Sequence, residues 1–572
     1  MRQPALPQPL IQLLQRWPAL KWARHYSRAT LSHDVLAACI VTVMLIPQSL
    51  AFALLAGLPP QMGLYASVAP LLVYGLLGSS SVLAVGPVAL ISMMTATAIS
   101  PLAPAGSALY ISAALTLALL RGVVLCGMGW LRLGFLANFL SRPVMTGFIN
   151  ASAVLIAVQQ WPALAGLSSP HASWHAWLAI HPATLALGVL CCALLWAIRR
   201  FAAPLGRAAG LSAHNTLLLV RTSPAVLLAL VTVAAAVWQW EQLGIGLLGA
   251  VPAGLPPLTL PSLDPALWQT LALPALLISL VGFAESVSVG QTLGAKRRER
   301  IDPNQELWAL GGSNVAAAFT GGMPVTGGFA RSVINNDAGA STPAAGIFTA
   351  VGVLAATLWL TPALAYLPRA ALAATIIVAV LNLVDLNALR STWRFSRGEA
   401  VAQWGTMLAT WTLGVQWGLL LGVLGSIGLH LLRTCRPHIA EVGLVPGTEH
   451  FRNVLRHRVQ TVPELLSLRV DESLYFANAN ALEDRINQEV AQRPALRHVL
   501  LQCSAINSLD SSTVHSLHSI ALRLRDAGIG LHLTEVKGPV MDQLQRSDLL
   551  KHLPGQVFLT HYDGVRSVQA LL

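Results

Sequence analysis

Apolar runs about as long as a bilayer-spanning helix recur along this chain with short polar interruptions between them. They lie at roughly 35–57, 63–78, 81–100, 108–131, 142–160, 183–198 and 217–240. A second set lies at roughly 266–289, 305–320, 327–338, 343–360, 368–384, 400–415 and 416–432. The pattern predicts about seven helical spans followed by about seven more. An odd number per half places the halves in opposite orientations, as in the inverted repeats of secondary transporters. After Pro437 the pattern changes to short apolar runs alternating with helical stretches. "LLSLRV", "SLYFAN", "HVLLQC", "IGLHLTEV" and "VFLT" read as strands, with helices near 479–491 and from about 511. Strands alternating with helices predict a small α/β domain.

Composition agrees with a membrane protein. Of 572 residues, 55% are hydrophobic and 10% charged, and the mean hydropathy is +0.62. The expected division is an N-terminal segment over 1–34, a membrane domain over 35–432, a linker over 433–456 and the α/β domain over 457–572. The net charge of +12 raises nucleic acid as a partner, and its distribution excludes that reading. Arg2, Arg16, Lys21, Arg24 and Arg28 precede the first run; Arg199, Arg200 and Arg207, the "KRRER" of 296–300, Arg390, Arg394 and Arg397, and Arg433 and Arg436 fall in alternate connections. The connections at 57–62, 101–107, 161–182 and 241–265 contain no Lys or Arg. The positive-inside rule then puts both termini and the α/β domain in the cytoplasm, and the first 34 residues lack the form of a cleavable signal.

Two of the runs are broken by Gly and Pro at matching places in the halves. "VLAVGPVALISMM" holds Gly86 and Pro87, and "GGMPVTGGFARSVINND" holds Pro324, Gly327 and Gly328. Each reads as extended chain feeding a half-helix, and such a pair points to a binding site at the membrane midplane. Two half-helix N-termini aimed at one spot offer free N–H groups and two positive dipole ends, which suit an anion. Arg331, in the first turn of the second half-helix, is expected to line that cavity and add its charge.

Four ionisable residues fall within spans: Arg121, Glu285, Arg331 and Asp337. Glu285, among Gly282, Ser286, Ser288 and Gly290, reads as a proton-coupling group or as a structural ion pair with Arg331. Arg121 and Asp337 read as contacts between helices. Pro47 should kink the first span, and Gln48 brings a neutral donor and acceptor to mid-membrane, either facing the cavity with Glu285 or as packing glue. The six cysteines have neither zinc nor disulfide spacing, so no metal is expected. No GxxxxGK[ST] motif occurs, and no nucleophile, base and orienting group come together, so neither ATP-driven transport nor an enzyme is expected, and no cofactor.

The segments "IPQSLAFALLAGLPPQMGLYASVAP", "GPVALISMM" and "PVTGGFARSVINNDAGASTP" resemble the signatures of the SulP sulfate permeases, over nearly the whole chain. The resemblance implies a uracil-permease-like fold of about fourteen spans in two inverted repeats, with a core domain moving against a gate domain in an elevator-like cycle, and a homodimer. It implies an anion site of Gln48 and Phe52, the N–H groups of Val88 and Ala89 after Pro87, and Ala330 and Arg331 flanked by Phe329 and Ser332. Glu285 matches a position tied to proton or sodium coupling in bacterial members. Ala330 stands where many relatives carry serine and Val88 where several carry phenylalanine, which alters the pocket. The tail resembles a STAS domain, with "INSLDSSTVHSL" at its strand-to-helix turn. Asp510, Ser511 and Ser512 should cap the following helix, foremost as a plain N-cap in a packing and dimerisation module; alternatively, phosphorylation of either serine could switch contact with a cytoplasmic protein partner. The expectation is a secondary transporter of a small inorganic anion across a bacterial-type cytoplasmic membrane, sulfate first, coupled to protons. Bicarbonate or C4-dicarboxylate uptake, possibly with sodium, a passive anion channel, and a sensor acting through the STAS domain are the alternatives.

Overall fold

The computed structural model describes residues 18–572 except 25, 140, 168–179, 209, 211–212 and 382. Arg2 and Arg16, much of the 161–182 connection and the side chains of Arg207 and Lys296 lie outside the described residues. The chain divides into two compact units, Met1–Ser426 and Ile427–Leu572.

The first half of the membrane unit runs through α1 (Arg28–Leu55), α2 (Pro60–Tyr65), α3 (Ala69–Leu77), β1 (Val85–Gly86), α4 (Ala89–Ile99), α5 (Ala108–Trp130), α6 (Arg142–Gln159), α7 (Pro182–Ala208) and α8 (Ala213–Val237). The second half repeats the plan with α9 (Pro265–Arg297), α10 (Pro303–Phe319), β2 (Thr326–Gly327), α11 (Phe329–Asp337), α12 (Ala344–Trp359), α13 (Arg369–Leu381), α14 (Arg397–Thr412) and α15 (Val415–Cys435). Local chemistry sets the starts. Ser27 caps α1 by accepting from Thr30 N at 3.1 Å, and Asp264 and Asp302 cap α9 and α10, each with proline at the next position.

Eight of the described helices are long and apolar enough to cross a bilayer. The broken segments differ: α4 has 11 residues and α11 has 9, about 16 and 14 Å of helix, half of a hydrocarbon core. The run expected over 63–78 is also divided, because the chain turns at Ser67, whose hydroxyl donates to Gly63 O and pairs with Ser49. A large apolar core runs through the unit, with two small clusters around Ala37 and Val41 beside it. Helices α5 and α10 approach closely where Gly122 meets Gly311 and Val315, leaving no room for a side chain.

β1 and β2 pair antiparallel, Val85 opposite Gly327 and Gly86 opposite Thr326. Each is followed directly by a half-helix, so the two half-helices leave a shared bridge in opposite directions. An inverted repeat requires this geometry.

In the second unit a six-stranded sheet has the order β4-β3-β5-β6-β7-β8. The strands are β3 (Ile439–Leu444), β4 (Phe451–Asn453), β5 (Leu465–Val470), β6 (His498–Gln502), β7 (Gly530–Thr534) and β8 (Val557–Phe558), with helices α16 (Ala479–Gln492), α17 (Ser511–Asp526), α18 (Gly538–Gln545) and α19 (His561–Gln569). β5, β6, β7 and β8 pair in parallel, while β3 pairs antiparallel with β4 and β5. The segment 433–456, expected as a linker, therefore holds two strands of this sheet. "SLYFAN" is not a ladder strand. Leu474 makes a single bridge to Leu509, and Asn478 turns the chain by accepting from Tyr475 N at 2.9 Å.

Candidate functional site

The β1–β2 bridge is fixed from every side. Thr326 Oγ1 donates to Gly282 O at 2.8 Å, and Ser286 Oγ accepts from Gly327 N at 2.9 Å. Asn314 bonds both the N–H and the C=O of Val325 at 2.9 Å, and Asn335 Nδ2 donates to Val82 O at 3.0 Å. Rigid placement of the bridge places both helix starts. Neither start is capped by a side chain: the residues ahead of α4 and α11, Val88 and Gly328, make no capping hydrogen bond. The first-turn N–H groups of both half-helices are thus available to a ligand.

The two starts open onto adjoining cavities rather than one. A cavity of about 360 Å³ is lined by Gln48, Phe52, Phe329 and Ala330, with Arg199 and Thr375 from α7 and α13. A second, of about 940 Å³, is lined by Val88, Ala89, Glu285 and again Phe329, with Arg142 and Asp385. Phe329, 46% exposed, stands between them. Pro47, inside the unbroken α1, also lines the smaller cavity, where Gln48 lies beside the second half-helix.

Three expected residues lie elsewhere. Arg331 is 3% exposed and lines neither cavity; its guanidinium packs against the backbone of Gly86 and Gly328, and Nη1 and Nη2 have no hydrogen-bond partner among the described residues. A side chain at Gly86 would bring Cβ to 2.5 Å from Arg331 Nη1, so glycine there makes room for the charge. Ser332 is fully buried, and its hydroxyl accepts from Ala84 N at 3.0 Å and donates to Gly328 O at 2.7 Å. It braces the bridge and has no lone donor left for an anion. Pro87 is buried and shapes the entry to α4.

Arg121, read from sequence as a contact between helices, belongs to this centre. It is 0% exposed, its three guanidinium nitrogens lack hydrogen-bond partners among the described residues, and it fills the space a side chain at Gly282 would need. Glu285, with Oε2 unpartnered, interacts electrostatically with both Arg121 and Arg331. Two guanidinium groups facing one carboxylate leave excess positive charge behind two helix N-termini. Asp337, by contrast, accepts from Asn336 Nδ2 at 2.9 Å at the far end of α11. Arg199 and Arg142 are lining residues that sequence reasoning missed; paired with Arg200, Arg199 matches the topology pattern equally well, and its Nη1 donates to Val378 O at 3.0 Å.

In the second unit Asp510 caps α17, with Oδ1 accepting from Thr513 N at 2.8 Å and Oδ2 from Phe476 N at 2.7 Å. Ser511 and Ser512 are exposed on the first turn and leave the cap to Asp510. No cluster of residues suited to a metal occurs among the described residues.

A helical membrane unit with paired broken helices, followed by an α/β unit, defines a multi-pass membrane transport protein. The chain belongs to the Sulfate permease family, whose pattern matches residues 31–406, and that of the STAS domain matches residues 456–564. It is 33% identical over 575 residues to Sulfate transporter 4.1, chloroplastic, of Arabidopsis thaliana, covering 96% of this chain and 82% of the relative. It is 32% identical over 554 residues to a probable sulfate transporter of Mycobacterium tuberculosis, covering 95% and 96%. Among solved structures, the murine Solute Carrier 26 family member A9 anion transporter in its inward-facing state superposes with a TM-score of 0.87 at 22% identity, covering 99% of this chain and 96% of that one. The transmembrane domain of a cyanobacterial bicarbonate transporter, BicA, matches 70% of this chain with a TM-score of 0.58 at 20% identity.

Proposed function

We propose that this protein carries inorganic oxyanions, sulfate first, across a cytoplasmic membrane by alternating access. The observation that carries the reading is the pair of uncapped half-helix starts leaving one antiparallel bridge, backed by two buried arginines. Relatives named as sulfate transporters align along nearly the whole chain, which favours sulfate over bicarbonate. In this reading the anion sits near Phe329 and Ala330, within reach of Gln48 and the N–H groups of Val88 and Ala89, and Arg331 and Arg121 act on it through their field. Glu285 is the coupling group: protonating it removes the one negative charge it sets beside Arg121 and Arg331 and strengthens the field on a dianion. Within the membrane unit a core domain then moves against a gate domain as an elevator, with both termini in the cytoplasm, in a homodimer. Exposed Ser511 or Ser512 is the regulatory phosphorylation site.

The test is uptake of labelled sulfate by proteoliposomes under an inward proton gradient, comparing the original chain with Glu285→Gln and Arg331→Ala. Gradient-driven uptake that Arg331→Ala abolishes and Glu285→Gln frees from pH supports the mechanism. Flux of bicarbonate or succinate without sulfate replaces the substrate and keeps the site. Flux unchanged in Glu285→Gln favours a passive pore, and flux unchanged in both variants removes the site.

A further inference from the structure

Away from the membrane unit, the edge of the STAS sheet carries a cavity of about 360 Å³ lined by His438, Arg452, Asn453, Arg456, His457, Arg469 and Asp471. The strand order β4-β3-β5 gathers them: Arg452 lies on β4 opposite Gly443, Arg469 on β5 opposite Ala440, and His438 immediately precedes β3. Three guanidinium groups face one carboxylate. That carboxylate is already committed: Asp471 accepts from Arg469 Nε at 2.5 Å and Nη2 at 3.1 Å and pairs with His438 Nδ1 at 2.8 Å. Burial works upward on Asp471, and the hydrogen bonds from Arg469 and His438 outweigh it, holding the group below its ordinary range.

Arg452 and Arg456 have no such partner. Among the described residues neither side chain makes a hydrogen bond or ion pair, although both line the cavity from the strand and the turn after it. Like charges kept together without a counterion repel. Such a cluster matches a multiply charged oxyanion, which guanidinium forks bind through paired N–H groups. The volume falls at the small end of the range for organic ligands and exceeds what a bare tetrahedral anion fills. His438 lies three residues beyond Cys435, the end of the last apolar helix.

We infer that the β4-β3-β5 edge of the STAS domain is a binding site for a phosphate ester, with Arg452 and Arg456 as its primary ligands and the Arg469–Asp471–His438 cluster as its fixed wall. The phosphate can belong to a lipid headgroup or to a soluble metabolite. This inference is independent of what the membrane unit carries.

The test measures hydrogen exchange of the 450–460 segment in the full-length protein, whose local readout is separate from any anion held in the membrane unit. One arm titrates inorganic phosphate and glycerol 3-phosphate against chloride at matched ionic strength, in phosphatidylcholine nanodiscs. The other replaces part of the phosphatidylcholine with phosphatidylglycerol and omits soluble phosphate. Saturable protection in the first arm identifies a soluble phosphate; protection confined to the second identifies a lipid headgroup. Both source assignments require that Arg452→Ala with Arg456→Ala weaken the effect by about tenfold or more, as loss of two charge-assisted contacts predicts. These residues are exposed, so the double variant retains its fold, checked by unchanged exchange of β6 and β7. Protection in neither arm, or equal protection in the double variant, overturns the inference.

Discussion

Replacing Gly86 by alanine tests whether the position of Arg331 sets anion affinity. The new Cβ would lie 2.5 Å from Nη1 and 3.3 Å from Cζ of Arg331, so the guanidinium must retreat by about 1 Å to reach ordinary contact. Retreat from Gly86 is retreat from the start of α4, where the N–H groups of Val88 and Ala89 point. If the charge acts on a sulfate dianion from about 4 Å, attraction of ~8.3 kcal/mol at an effective dielectric of 20 falls to ~6.6 at about 5 Å. The difference predicts a rise in KM for sulfate of roughly fifteenfold. Gly86 also has φ +156°, where a side chain adds strain of ~1–3 kcal/mol that lowers stability without touching affinity. Gly106→Ala separates the two effects: its φ is +77° and its Cβ would meet nothing within 4 Å. The assay is initial sulfate uptake in proteoliposomes, normalised to reconstituted protein. A KM for Gly86→Ala equal to that of Gly106→Ala and of the original chain would refute the argument that Arg331 acts through its placement.

Arg121→Met removes one of the two positive charges facing Glu285 and should cut sulfate uptake by at least about tenfold, with Arg121→Lys intermediate, measured in the same liposomes. Arg331→Lys keeps a charge behind the helix start and should hold uptake within about threefold if the field acts at a distance, whereas a direct guanidinium ligand would not tolerate lysine. Asp34 is fully buried and accepts from Ser341 N at 2.6 Å, Thr342 N at 3.1 Å, Thr342 Oγ1 at 2.5 Å and Tyr26 OH at 3.0 Å, so Asp34→Ala should cost ~2–4 kcal/mol, read as a lower Tm in detergent. In the STAS domain burial first, and His498 second, push His532 down to about 4; its Nδ1 accepts from Gln556 N at 3.0 Å, which protonation forbids. Because the folded value lies below the unfolded value near 6.5, stability is full above pH 6.5 and is lost as pH falls towards 4, by ~2 kcal/mol at pH 5. Exchange of β7 amides, corrected for intrinsic rate, should show this loss, and a His532→Gln chain with the same pH dependence would contradict it.

Sequence periodicity located nearly every membrane helix because a bilayer imposes length and apolarity on each span. The broken segments were legible for a different reason: Gly86, Pro87, Pro324, Gly327 and Gly328 mark backbone that cannot continue a helix. Arg121 carried no such mark. It lies in "LTLALLRGVVLCG", and its role comes from Gly282 on a helix far away in sequence, whose missing side chain admits the guanidinium. The strands of 439–453 escaped because β4 has three residues, too few to display a period.

The placement of Arg331 was implicit in the helix geometry. Successive residues of α11 are turned by about 100°, so Phe329 and Arg331 point about 200° apart and cannot line one cavity. Phe329, Ala330, Val333 and Ile334 follow the i, i+1, i+4, i+5 rhythm of a single face, and all four line the smaller cavity. Arg331, Ser332 and Asn335 occupy the opposite face, and all three are buried against the bridge. The half-helix is thus divided lengthwise, one face presenting apolar side chains and an open helix start, the other carrying charge and bridge bonds. On the proposed function, an anion at that start would meet Arg331 through backbone dipoles and distance rather than through contact. The alanine at 330 would then be the small residue that lets a ligand reach the N–H groups, and the serine that follows Arg331 matters because without it the bridge that aims both helices would lose its bonds to Ala84 N and Gly328 O.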